Sequence, residues 1–194
     1  DGAVCISKTV AGEVPDWLKD NGPARQRPFE VKWFRLGADI AASCPSKGVP
    51  HDAARFLSAL TYRPSFLMVG TLEPRKGHNQ TLAAFENLWG NGVEASLVIV
   101  GKEGWMVEDL TKKLRNHPLA GNYVHWLEDT SDEYLEQLYG VASALITASE
   151  GEGFGLPLIE AAKHKLPIIA PDLPVFREIG GEHAFYFNRE SPET

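Results

Sequence analysis

Two cysteines among 194 residues, Cys5 and Cys44, leave this chain without a disulfide framework or a recognisable metal or redox spacing. Their scarcity fits a reducing compartment. No apolar run approaches the ~20 residues that a membrane-spanning helix needs. Basic residues are outnumbered, 19 against 26 acidic, and the formal net charge of −7 argues against broad nucleic-acid binding. Asp-x-Asp does not occur, which disfavours a phosphate site organised by a divalent metal. The opening Asp1-Gly2-Ala3-Val4-Cys5-Ile6 has neither a basic leader nor an initiator Met, and reads as the start of a piece excised from a longer protein.

The composition is otherwise that of an ordinary globular protein, 43% hydrophobic and 23% charged. From residue 65 onward apolar runs alternate with helical periodicities. Strands are expected over Ser65–Gly70, Ser96–Gly101, Asn122–Leu127, Ala144–Ser149, Pro167–Ala170 and Ala184–Phe187. Between them lie three apolar stripes: Leu82, Phe85, Leu88 and Trp89; then Met106, Leu110 and Leu114; then Leu135 and Leu138 with Tyr134 and Tyr139. Thr130-x-x-Glu133 is expected to cap the third helix, and a short helix is expected after Pro174. Near-continuously apolar strands alternating with helices imply an α/β fold: a Rossmann-like parallel sheet with helices on both faces. Such sheets bind ligands outside the carboxyl ends of their strands.

Residues 1–60 are less regular. They suggest a short strand at Val4–Ser7, a helix over Lys8–Asp20 broken by Gly12 and Pro15, a strand at Val31–Leu36 and a loop over Ile40–Pro50. The chain is thus divided into 1–60, the remnant of a preceding domain and a linker, and 61–194, the α/β domain.

The chemistry concentrates in two places. Glu152-Gly153-Phe154-Gly155-Leu156-Pro157-Leu158-Ile159-Glu160 carries two carboxylates eight positions apart across a glycine-rich turn. The order is strand, turn, helix start, and it lacks the Gly-x-Gly-x-x-Gly fingerprint of dinucleotide sites. A helix N-terminus offers unpaired N–H donors and roughly half a positive charge, so an anion held there meets one carboxylate on each side. A ligand with a phosphate centre and hydroxyls at both ends fits that arrangement. The second place is Gly70-Thr71-Leu72-Glu73-Pro74-Arg75-Lys76-Gly77-His78, which puts two cations at a strand's carboxyl end. Facing a helix N-terminus, such a pair can hold a diphosphate without metal. Each pattern also has a plain structural reading, as an ordinary strand-to-helix turn and as a solvated basic turn. His78 reads as a surface residue at a helix start, His125 as packed or half-exposed, and Trp33, Trp89, Trp105 and Trp126 as packing residues.

Together these motifs resemble the C-terminal, donor-binding domain of a retaining glycosyltransferase of the GT-B fold, glycosyltransferase family 4 (group 1). Glu152 and Glu160 match its Glu-x7-Glu signature, and Gly70, Pro74, Lys76 and Gly77 match its Gly-x-x-x-Pro-x-Lys-Gly element. The resemblance covers about residues 65–188 and implies roles. Glu152 contacts the donor sugar, beside the backbone of Gly153, Phe154 and Gly155, with Leu156 opening the helix. Glu160 accepts from the ribose hydroxyls. Lys76 and Arg75 hold the diphosphate next to Gly70 and Thr71, where relatives carry Arg at the position of Thr71. The base lies near Tyr123–Leu127, with Val124 among its contacts, and Gly101-Lys102-Glu103 lines the same cleft. Phe34–Asp39 resembles the interdomain crossing. The implied activity is transfer of a hexose from a nucleotide-sugar to a glycan or lipid-linked acceptor. Leu72–Lys76 is similar to mannosyltransferases of surface-polysaccharide assembly. No cofactor or metal is expected. The acceptor would be held by an N-terminal domain, so these residues alone are expected to be inactive. A cytoplasmic setting is implied, with contact to the inner membrane face through the full-length protein. A sugar-nucleotide epimerase half-domain and a non-catalytic nucleotide-binding module remain alternatives.

Overall fold

The computed structural model describes residues 1–24, 27–37 and 48–188. Cys44, Ala38, Asp39 and most of the loop expected over residues 40–50 lie outside them. The chain opens with β1 (Gly2–Cys5), α1 (Lys8–Asn21) and β2 (Glu30–Trp33). β1 and β2 pair in parallel, Gly2 opposite Glu30 and Cys5 opposite Trp33. The break expected in the first helix does not occur: α1 runs continuously through Gly12 and Pro15. A proline removes one N–H from the ladder, and the start of this helix is held firmly enough to carry that loss. Ser7 caps it by accepting from Val10 N at 3.2 Å. Glu178 accepts from Lys8 N at 2.9 Å, Thr9 N at 2.8 Å and the Thr9 hydroxyl at 2.7 Å.

A helix not anticipated from the sequence follows, α2 (Ala53–Leu60). Ala53 and Leu60 enter the main core, so α2 packs with the sheet. The regular part then runs β3 (Ser65–Val69), a single 3₁₀ turn (Pro74–Lys76), α3 (His78–Gly90), β4 (Ser96–Val100), α4 (Glu108–Arg115), β5 (Val124–Leu127), α5 (Asp132–Val141), β6 (Ala144–Ile146), α6 (Leu156–Lys163), β7 (Ile168–Pro171), α7 (Pro174–Gly180) and β8 (Phe185–Phe187). Every expected strand is present, most of them shorter than the apolar run that announces it. Two details differ. Met106 is not part of the α4 stripe: it stands before the helix with φ 53° and 72% exposed, and Val107, Leu110 and Leu114 are the buried positions. The cap of α5 is Ser131, which accepts from Tyr134 N at 3.2 Å, while Thr130 bonds back to the Leu127 carbonyl. A serine one residue later reaches the third N–H of the helix, as a cap must.

The six strands of the main sheet are parallel, in the order β5-β4-β3-β6-β7-β8. In sequence terms this is the doubly wound order 3-2-1-4-5-6, with its reversal between β3 and β6. Both faces are covered. Along β4, Leu97 and Ile99 join the core with Leu82, Phe85, Leu110 and Leu114. Val98 and Val100 join the opposite core with Leu138, Tyr139, Leu158 and Phe176. The period-2 alternation of one strand therefore feeds two hydrophobic layers, which is why these strands read as unbroken apolar runs. Among the described residues no helix is long and apolar enough to cross a membrane.

Candidate active site

The reversal between β3 and β6 leaves a crevice at the carboxyl ends of these neighbours, where such sheets bind ligands. The two motif loops leave the sheet at that point, one after β3 and one after β6. The β3 loop is first pinned to its other neighbour. Gly70 N donates to the Val100 carbonyl at 2.9 Å, and Leu72 N to the Lys102 carbonyl at 2.9 Å. Gly101 allows this closeness, because a Cβ there would stand 1.9 Å from the Gly70 oxygen. Lys102 and Glu103 thus fasten the loop from the side, and Glu103 turns to Arg115 and Thr111.

The two loops then lock onto each other. Glu150 N donates to the Arg75 carbonyl at 2.7 Å. Gly77 sits in the left-handed region, φ 73°, and a Cβ on it would lie 2.3 Å from the Ala148 carbonyl oxygen. Both features demand glycine. We expect Gly77→Ala to cost about 2–4 kcal/mol, from left-handed strain and from backbone displacement. In a chain of this size that lowers the melting temperature by roughly 5–15 °C. Calorimetry checks it, and an unchanged melting temperature contradicts the interlock.

The interlock brings the predicted charges together. Lys76 Nζ is ion-paired to Glu152 Oε1, with only 17% and 13% of the two side chains exposed. Ser149 Oγ donates to the same oxygen at 2.9 Å. Arg75, 47% exposed, stands outside them: its Nη1 is 3.6 Å from Glu152 Oε2 and 3.2 Å from the Gly151 carbonyl, and its Nε is 2.9 Å from Glu73. Glu152 is therefore a half-enclosed carboxylate fixed by two cations and a hydroxyl, and the two cations expected to hold a diphosphate already share an anion. Next to them Phe154 is buried, and Gly155, at φ 91°, starts α6 with no side-chain cap. Pro157 has no N–H and Leu158 N donates to the Gly155 carbonyl at 3.0 Å, so the Leu156 N–H is the donor that this helix start leaves to a ligand or solvent. The Leu156 side chain is exposed and Thr71 is exposed on the β3 loop. The Glu152 loop is also held from outside: Ser7 Oγ donates to the Gly153 carbonyl at 2.7 Å.

Glu160 lies one turn into α6, where the Tyr139 hydroxyl donates to its Oε2 at 2.6 Å. Burial raises its carboxyl above the ordinary range, against the pull of the Tyr139 bond. His78 is not the surface residue that its place at a helix start suggests. It is buried, with its ring turned toward the Glu73 backbone. Burial, then Lys76, lowers its pKa to about 4, so it is neutral beside the clamp. Val124 is not on the rim. It pairs with Leu97 at the amino end of β5 and is buried in the core, while the end of β5 that faces the crevice is Leu127. Trp33 and Trp105 are exposed rather than packed, unlike Trp89 and Trp126, whose indole N–H groups donate to the Ala95 and Gly101 carbonyls at 2.8 Å.

Ser149, Glu73, Tyr139 and Ser7 join the site without any signal in the sequence. Ser149 and Tyr139 stand in runs that read as strand and helix, and no spacing marks a hydroxyl that reaches a distant carboxylate. A cavity of about 630 Å³ opens at the amino ends of β7 and β8, lined by Leu158, Leu166, Ile168, Ile179, His183 and Phe185. It lies at the far end of the sheet and lacks the charged cluster, so we place the chemistry in the open crevice. Among the described residues no three His, Cys, Asp or Glu side chains are grouped to hold a metal ion.

Comparison with known proteins shows the same fold and a family for the chain. The fold matches an α,α-trehalose-phosphate synthase (UDP-forming) from Burkholderia vietnamiensis with a TM-score of 0.75 at 16% identity, over all of this chain and 49% of that one. It also matches the pneumococcal O-GlcNAc transferase GtfA, solved with UDP and GlcNAc, with a TM-score of 0.68 at 19% identity, over 100% of this chain and 35% of that one. A serotype-specific mannosyltransferase WbdA of Escherichia coli is 53% identical over 99% of this chain and 24% of its own length. O-antigen chain mannosyltransferase B of Escherichia coli is 28% identical over 78% of this chain and 42% of its own. The chain thus spans about a quarter of the length of its WbdA relatives. Residues 54–193, which carry the sheet, the interlocked loops and both glutamates, match the family of glycosyl transferases group 1, and the chain belongs to that family.

Proposed function

We propose that this chain is the donor-binding, C-terminal half of a retaining glycosyltransferase of family 4, transferring mannose from a nucleotide-sugar to a growing surface glycan. The observation that carries the reading is the Lys76–Glu152–Arg75 cluster, set at the sheet's reversal beside the uncapped start of α6. Family membership favours a transferase over an epimerase or a non-catalytic module. The sugar follows the named activity of the curated relatives.

In this reading the diphosphate enters between the Lys76–Arg75 pair and the start of α6, where the Leu156 N–H is open. As the glycosidic bond to phosphate breaks, negative charge grows on the leaving diphosphate, where fixed cations and a backbone donor already point. Glu152, held by Ser149 and Lys76, presents its carboxylate to the sugar hydroxyls and orients the ring. Glu160 takes the ribose. No metal is required, because side-chain cations occupy the role that magnesium fills elsewhere. The acceptor, a glycan or a lipid-linked sugar, is supplied by a part of the longer protein. The reaction belongs on the cytoplasmic side, at the inner face of the membrane when the acceptor is lipid-linked.

Calorimetric titration with GDP-mannose, UDP-glucose and UDP-N-acetylglucosamine tests this. One of them is expected to bind in excess chelator, with affinity that weakens as salt rises, and the 194 residues alone are expected to form no glycosidic product. Loss of binding on chelation, or transfer by the isolated chain, contradicts the assignment.

A further inference from the structure

Glu160 is held by a second constellation that the charged cluster does not include. Tyr139, on α5, is almost fully buried, and its hydroxyl donates to Glu160 Oε2 at 2.6 Å. Its ring lies flat against that of His164, centroids 5.6 Å apart and 11° between the planes. His164 Nε2 is in turn 2.8 Å from Glu136 Oε2, and Lys163 Nζ donates to Glu136 Oε1 at 3.4 Å. The phenol is thus locked in place by packing on one side and by a bonded imidazole on the other. Among the described residues, the other Glu160 oxygen, Oε1, has no hydrogen bond and is not an enclosed, unsatisfied atom.

One oxygen held and one offered is the arrangement that aims a flexible glutamate at a hydroxyl. We propose that Tyr139 is a positioning residue for sugar-nucleotide binding: it fixes Glu160 so that its free oxygen meets the hydroxyls of the donor's ribose. This deepens the reading of Glu160 as the ribose ligand and rests on it. Tyr139 suits the task because burial, Glu160 and Glu136 raise its own pKa far above neutrality, so it donates at every physiological pH. Around Glu160, burial raises the carboxyl most, the Tyr139 bond lowers it, Glu136 and Asp132 raise it, and Lys163 lowers it. The ionised carboxylate is the stronger acceptor from hydroxyls. Removing the Tyr139 hydroxyl lets its pKa rise further, so binding weakens from a higher pH on acidification.

The chain is titrated with ADP, GDP, CDP and UDP, and the tightest of them is compared with its 2′,3′-dideoxy form. Tyr139→Phe, which keeps the ring and its stacking, is expected to lose roughly three- to ten-fold in affinity for the ribonucleotide and nothing for the dideoxy form. The acid limb of ribonucleotide binding is expected to move to higher pH. The ratio between the two ligands is read only from folded molecules, so partial unfolding cannot imitate it. An equal loss for both ligands, no loss, or an unmoved acid limb overturns the positioning role. Glu160→Gln separates the two claims. If it abolishes the ribose preference while Tyr139→Phe behaves as wild type, only the role of Tyr139 falls. If Glu160→Gln keeps the preference, or none of the four nucleotides binds, the reading of Glu160 falls and the inference with it.

Discussion

Glu152→Gln is expected to bind a bare nucleoside diphosphate more tightly than the wild-type chain and to lose most of its preference for the nucleotide-sugar. The carboxylate occupies the two cations that the proposed reading gives to a diphosphate, ion-paired to Lys76 and 3.6 Å from Arg75. A phosphate arriving there meets a like charge, and one about 5 Å away costs about 3 kcal/mol at an effective dielectric near 20. Water and salt screen part of that, so removing the charge should tighten the bare diphosphate roughly ten-fold. The nucleotide-sugar gains the same relief but loses hydrogen bonds from its hydroxyls to a charged acceptor, each worth ~1.5–3 kcal/mol. Its advantage over the bare diphosphate should therefore fall by roughly ten- to a hundred-fold. Parallel calorimetric titrations measure that ratio. A ratio like that of the wild type, or weaker binding of the bare diphosphate, would remove Glu152 from the sugar end of the site.

Lys76→Ala is the counterpart and carries the larger loss. It deletes one charged contact to phosphate and also leaves Glu152, 13% exposed, with only Arg75 and Ser149. Both effects oppose an incoming diphosphate, and together they amount to about 3–5 kcal/mol, or roughly a hundred- to several thousand-fold in affinity. The two residues must then be non-additive. In the Lys76→Ala/Glu152→Gln double variant the stranded carboxylate is gone, so binding should recover over Lys76→Ala alone by clearly more than the roughly ten-fold that Glu152→Gln gives in the wild type. Arg75→Ala should cost less and respond more to salt, since its side chain is 47% exposed against 17% for Lys76. Additive effects of Lys76→Ala and Glu152→Gln would show that the ion pair does not govern access to the phosphate site.

Much of this architecture is legible in the order of the amino acids. β-strands buried on both faces announce themselves as apolar runs, so the sheet can be read directly. Chain order then puts Arg75, Lys76, Glu152 and Glu160 near strand carboxyl ends. Gly77 and Gly155 are recognisable as turns, and their positive φ angles bear that out. What the sequence does not carry is register and partnership. Val124 belongs to the expected strand but not to the cleft, because three positions along that strand separate the buried amino end from the rim. The Lys76–Glu152 pair spans 76 residues, and no spacing predicts it. His78 has the polarity of a surface residue and is buried through tertiary packing alone. Pro15 carries the local signature of a helix break, but Glu178, contributed by α7, helps hold the helix that it interrupts.

The same end of the amino-terminal helix is joined to the loop that carries Glu152. The joint is a single buried serine, which both caps α1 and holds the carbonyl of Gly153, the residue that follows Glu152. Three further bonds tie the same helix end to Glu178 on α7. A tilt of α1 would reach the backbone beside Glu152 through the one bond from Ser7 to the Gly153 carbonyl. The orientation of the β1–β2 ribbon and α1 is thereby linked, through Ser7 rather than through side chains of the crevice, to the loop that presents Glu152.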